Sequence, residues 1–229
     1  MAKTAIQLLN EIGRHLRLST GSTFTSLTQD LRIGFITMMM NEAKRVVEDR
    51  WKWDALKYMV TFDSVIGTGT YVPATGGTPN ERSYVTRTPI GLLNLWDVTS
   101  AQQGRLRELT RDDVEHMRIV ANGTQAINNA AAVYNNGTGI TVMFPNLCSS
   151  VRNYKAQIYI PQEELTTEAT TVLAPWQPIS LYAAARCMQE RGEEFGGDPN
   201  LWFEMYTDSI TTLLGTTQIR HEDMVMTRE

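Results

Sequence analysis

What most limits the fold of this chain is a double change of hydrophobic period. From residue 4 to about 52, apolar side chains recur every three to four positions. Between 58 and 160 alternating segments appear, as at 58–62 and 154–160, and from 178 the longer spacing returns. Three-to-four spacing lays apolar groups along one face of a helix; alternation lays them on one side of a strand. Helices at both ends must therefore share a layer, with strands inserted between them. The pattern predicts an α+β fold with a helical bundle from 1–57 and 174–215. A β-rich, sandwich-like domain at 58–173 is inserted in it, and an extended C-terminal tail at 216–229 follows.

The helical stretches carry their own punctuation. Thr4 can cap a first helix with Ile6, Leu9, Ile12 and Leu16 on one side. Ser26, with Gln29 three positions on, completes a capping box for a second, and Asp30 suits the positive dipole end. Leu27, Leu31, Phe35, Met38 or Met39, Ala43, Val46 or Val47, and Trp51 form its stripe. A helix reaching residue 52 is about 40 Å long. Trp53 shares a side with Trp51 only where the backbone turns extended. We therefore expect Trp51 and Trp53 to form a helix-to-sheet seam, matched at the return crossing by Trp176 in "PWQP". Pro178 suits a first helical position, and Gly196-Gly197 a stop. Asp198 and Pro199 open a last helix with Leu201, Met205, Ile210 and Leu213 or Leu214 as apolar positions, ended by Gly215.

Between them, Tyr58, Val60 and Phe62 alternate as a strand. Residues 67–83 read as a Gly/Thr/Pro loop too polar to bury. Strands are expected in 83–91 and 92–100, around Trp96. A short helix at 110–118 is capped by Thr110 with Asp113. A hairpin at 130–145 turns at Asn136-Gly137. A last strand alternates Tyr154, Ala156, Ile158 and Ile160.

Chemistry is sparse. The two cysteines, Cys148 and Cys187, lack ligand spacing, which argues against a zinc site or disulfide framework and fits a reducing compartment. The apolar run at 34–40 is too short to span a bilayer. Net charge is −4, divided as +3 over 1–60, −2 over 61–172 and −5 over 173–229. That division suits contact between subunits better than wrapping of nucleic acid, which wants a dense basic stripe. Asp112, Asp113, Glu115 and His116 could bind a divalent ion, but a capped, solvated helix explains them with fewer demands. Lys44 with Glu48, and Arg50 with Asp54, have the spacing of helical ion pairs. Nucleotide, hydrolase and metalloprotease signatures are missing, so no catalytic residue and no cofactor are expected.

The order of a short helix, a long helix ending in "EAKRVVEDRWKWDALKYMVTF", a β-rich middle, late helices and a loose tail resembles the head-to-tail adaptors of short-tailed bacteriophages, also called tail tubular protein A or connector proteins. The resemblance implies a ring, of twelve copies, between the portal protein and the tail nozzle protein, lining the DNA channel with weak, transient contact to DNA and none to membrane. It implies a place in the virion neck after assembly in the host cytoplasm, and a role in genome ejection. It maps the portal-docking tail onto 216–229, with Ile219, Met224, Val225 and Met226 as apolar anchors. Two other readings are a tail-tip or receptor-binding module built on the β block, and a metal-dependent hydrolase or lyase using the 112–116 cluster.

Overall fold

The structure, a computed structural model, describes residues 2–18, 23–73, 79–88, 92–99, 104–120, 130–136, 139–148, 150–191 and 198–226, the last ten as backbone alone. The fold is mixed α+β. The chain divides into two compact units: Met1–Ala55 with Glu163–Glu229, and Leu56–Gln162.

The first unit is helical. Helix α1 (Ala5–His15) begins at Thr4, whose side chain accepts from Gln7 N–H while Gln7 returns the bond to Thr4 N–H. It ends without a glycine. Arg17 takes the left-handed conformation at φ 54° instead, and Leu18 N–H closes back on Gly13 O at 2.9 Å. Helix α2 (Leu31–Arg50) starts later than Ser26. Asp30 is the cap, accepting from Ile33 N–H at 2.8 Å, whereas Ser26 Oγ donates to Glu168 Oε1 at 3.2 Å. The carboxylate outcompetes the hydroxyl for the helix end because its acceptor is charged. The later start also turns the buried face. Ile33, Ile36, Met39, Met40, Ala43 and Val47 point inward, while Leu31 is 93% and Met38 55% exposed.

Helix α4 (Trp176–Glu190) lies at the centre of this unit and packs on α1, α2 and the last helix, α5 (Pro199–Met226). The short side chains Ser180, Ala183, Ala184 and Ala185 are buried on it, so neighbouring backbones approach closely. Pro178 lies inside its first turn rather than at the first position, which falls to Trp176. Helix α5 continues through Gly215 to Met226, where an extended tail was expected. A single interior glycine costs about 1 kcal/mol, too little by itself to stop a helix. Thr216 adds a hydroxyl bond back to Thr212 O at 2.8 Å.

The return crossing also differs from expectation. Residues 163–173 belong to the helical unit. Ala5 N–H donates to Thr170 O and Val172 N–H to Lys3 O, and Asn41 exchanges bonds with Leu165.

The second unit holds two sheets. In one, β8 (Asn153–Tyr159) pairs antiparallel with β1 (Lys57–Asp63) along one edge and with β3 (Tyr84–Val85) and β4 (Leu95–Asp97) in series along the other. The other runs β2 (Thr70–Tyr71), β7 (Ile140–Met143), β6 (Ala130–Asn135) and β5 (Arg107–Glu108), antiparallel except for β5 with β6. Inward side chains of both sheets share one core, among them Val60, Val85, Leu95, Val142, Ala156 and Ile158. Phe62, Tyr71, Phe144 and Tyr154 stack within it, with ring centroids 4.8–5.8 Å apart. Tyr71 corrects the reading of 67–83 as a loop too polar to bury. The ring fills the core while its hydroxyl bonds Thr68 O at 2.6 Å and Val65 N–H at 3.1 Å. Residues 74–78 of that segment, and Gly137 of the expected Asn136-Gly137 turn, lie outside the described residues.

Candidate functional site

The acidic cluster was the most reactive-looking stretch of the sequence. It sits on α3 (Arg111–Val120), where Val114 alone is buried. Asp113 N–H donates to Thr110 Oγ1 at 3.1 Å, and that hydroxyl donates to the Asp113 carboxylate at 2.6 Å. Glu115 pairs with Arg111 at 2.7 Å, and Asp112 and His116 are exposed. The acids thus serve the helix that carries them. Among the described residues, no three metal-ligating side chains converge.

The three tryptophans do structural work within the helical unit. Trp53 is buried, and its indole N–H donates to Val47 O at 2.8 Å, satisfying a carbonyl of the last turn of α2. The ring folds back on the helix it follows. Trp51 is the half-buried C-cap, with extended backbone. Trp176 is half-buried at the start of α4, with the Lys3 ammonium 3.5 Å from its ring centroid. Ile219, Met224, Val225 and Met226 lie on the helical backbone of α5.

Buried polar groups are the next place to look for chemistry. Lys44 and Glu48 pair at 3.1 Å with both side chains about fully buried in the bundle. Their spacing is that of a helical ion pair, but their depth depends on packing. Burial pushes the Cys187 thiol up to about 12, so it is a packed apolar group rather than a nucleophile. Burial likewise pushes the Tyr71 phenol up to about 12, with a bond to Cys148 adding to the effect. The His15 ring lies tilted against Trp202 with centroids 4.8 Å apart, and desolvation holds its pKa below the usual value.

No family model matches this chain, and no curated protein does. The functional reading therefore rests on surfaces. Among the described residues, large apolar side chains are exposed in several places, Val72 after β2 and Ile119 and Val120 at the end of α3 among them. Leu31 is exposed at the start of α2, and Met38 lines a groove of about 500 Å³ along that helix with Leu27 and Leu165. Leu201 and Met205 lie on α5, and Met59 on the outer side of β1. At one end of the β unit, Val65 and Ile66 stand beside Leu147 and Val151. Those two loops are held by backbone bonds from Gly67 N–H to Cys148 O and from Ser64 N–H to Arg152 O. Their apolar tips are presented by a fixed frame. No described helix is long and apolar enough to cross a membrane.

Proposed function

We propose that this chain is a structural head-to-tail connector of a tailed bacteriophage. In this reading it is a ring subunit between portal and tail nozzle that lines the DNA channel, in the neck of a virion assembled in the host cytoplasm. The observation that carries the reading is the spread of exposed apolar side chains over separate faces: α2, α5, the outer side of β1, and the loops around Ile66 and Leu147. A ring subunit needs two different lateral faces because a closed cycle is heterologous, and it needs axial faces for the neighbours above and below. A catalytic domain would instead gather its unusual groups into one cleft.

The net charge of −4 supports weak, transient contact with the DNA that passes through. The end of α5, with Ile219, Met224, Val225 and Met226, is the segment assigned to portal docking; its helical form suits an element that lays one side into a groove. The connector role involves no cofactor and no turnover.

Light scattering on the size-fractionated protein, alone and mixed with portal rings, tests the reading. The expected result is a species of roughly 310 kDa, twelve chains of 25.8 kDa, or its co-elution with the portal. A chain that stays monomeric in both conditions refutes it.

A further inference from the structure

One end of the β unit is an uncharged apolar tip. The loop after β1 brings Val65 and Ile66 there, and the loop before β8 brings Leu147 and Val151; each of the four is more than half exposed. Side-chain bonds fix the two loops to their surroundings. Ser64 Oγ donates to Ser150 O at 3.2 Å and accepts from Arg152 N–H at 2.8 Å, and Tyr71 Oη accepts from Val65 N–H at 3.1 Å. No charged residue occurs in 64–80 or in 119–151. The charges that flank the tip are engaged: Arg152 with Asp97 at 2.8 Å, Asp63 with Asn153 Nδ2 at 2.7 Å, and Arg118 with Phe144 O at 2.9 Å. A fixed, uncharged, aliphatic surface of this kind marks a contact.

The helical unit holds a hollow that suits such a tip. The groove of about 500 Å³ along α2 is lined by Leu27, Met38 and Leu165, and by Gly34, where an added Cβ would meet nothing within 4 Å. Its polar side chains have partners inside the unit. Thr37 Oγ1 donates to Leu27 O at 2.8 Å, and Asn41 Oδ1 accepts from Leu165 N–H at 2.8 Å. Arg45 pairs with Glu164, and Glu42 accepts from Arg186 at 3.2 Å. A charged occupant would have to break one of these bonds to be matched, whereas an aliphatic one leaves them all in place. The groove has room for about three aliphatic side chains, taking roughly 150 Å³ for the space that removal of one such side chain can leave.

We propose that the groove along α2 is the docking site for the Val65–Ile66/Leu147 tip of a second copy of the chain. Ile66 and Leu147 enter beside Gly34 and cover Met38, and neither side brings a charge that the contact would leave unmatched. The contact joins the β unit of one copy to the helical unit of the next. It is therefore heterologous, propagating from copy to copy and closing where the rotation allows. It supplies the lateral joint of the ring and rests on the connector reading. A lipid surface would also take an aliphatic tip, but it would leave the groove uncovered.

Sedimentation velocity on the full chain tests this, with Ile66→Asp in the tip and Gly34→Glu in the groove. Both positions are at the surface, and glutamate is a better helix former than glycine, so both variants should fold, which circular dichroism checks. Each alone is expected to weaken self-association roughly tenfold or more, because it sets a charge against an apolar surface. Mixed with each other, the two variants should form a dimer of roughly 52 kDa, two chains of 25.8 kDa, and nothing larger. One copy then has the intact tip and the other the intact groove, which allows a single joint. A mixture that stays monomeric where the wild-type chain assembles, or assembly at wild-type strength in both single variants, overturns this contact and leaves the connector reading intact. A wild-type chain that never associates, with or without portal rings, overturns both. Binding to phosphatidylcholine vesicles that Ile66→Asp abolishes, with self-association unchanged, overturns it in favour of a lipid surface.

Discussion

The Lys44–Glu48 pair gives the sharpest test of the helical unit. The ammonium lies 3.1 Å from the carboxylate, with side chains 1% and 0% exposed. Lys44→Met keeps most of the aliphatic stem, so little packing is lost, but it takes the ammonium from the Glu48 carboxylate in a site closed to water. Breaking a buried pair in this way costs about 3–5 kcal/mol. At about 2–4 °C per kcal/mol for a chain of this size, the melting midpoint should fall by roughly 10 °C. The double variant Lys44→Met/Glu48→Leu removes the stranded charge and should recover at least half of that loss. Replacing a buried pair with apolar groups of similar volume is often neutral or stabilising. Urea unfolding followed by the helical dichroism signal reads both variants. If the single variant costs under about 1 kcal/mol, or the double variant is as unstable as the single, the pair is not the buried ionic contact described.

Other expectations concern separate sites. Gly13→Ala should destabilise by about 1–3 kcal/mol, because the new Cβ would lie 2.4 Å from the Phe24 ring; Gly34→Ala, with nothing within 4 Å, should stabilise by about 1 kcal/mol in the same urea assay. Arg17→Gly should also stabilise, by about 1 kcal/mol, since only glycine holds φ 54° without cost. A colourimetric thiol reagent should modify Cys148 in the native protein and Cys187 only on unfolding; equal rates would contradict the burial of Cys187. The Lys3 ammonium, hydrogen-bonded at 2.7 Å, holds the Glu11 carboxyl below the usual carboxylate range. Its contribution to stability is complete at neutral pH and is lost as pH falls through the native titration. Glu11→Gln should flatten the acid limb of the stability curve.

Local pattern was legible where local physics decides. The alternation of Tyr154, Ala156, Ile158 and Ile160 puts all four side chains in the core, and the Thr110–Asp113 cap forms at the expected residues. Sequence failed where a distant partner decides. Ser26 looks like a cap until Glu168, far along the chain, takes its hydroxyl. Residues 163–173 have no periodicity of their own, and bonds to α1 and α2 assign them to the helical unit. Lys44 and Glu48 have the spacing of a surface pair, and tertiary packing around α2 buries them. The same limit governs the candidate surfaces. Ile66 and Leu147 join one tip only once the bonds between their loops form, whereas Gly34 and Met38 share a side of α2 by helical period alone. The indole bond from Trp53 to Val47 O is likewise invisible in the sequence, because it depends on how the chain turns after α2.

The division of the helical unit between the two ends of the chain sets an order of events on the ribosome. Helices α1 and α2 emerge first, while α4, which fills the space between them, is still untranslated. At 5–20 residues per second that wait is roughly 10 s, far longer than helix formation or collapse. During it, Leu8, Ile12, Ile36 and Met40 have no lasting cover. The β unit, whose first and last strands lie side by side through Lys57 and Tyr159, can close in the meantime. The nascent protein thus carries a finished domain beside an open apolar pair of helices, and that pair is where chaperone capture or premature clumping would begin.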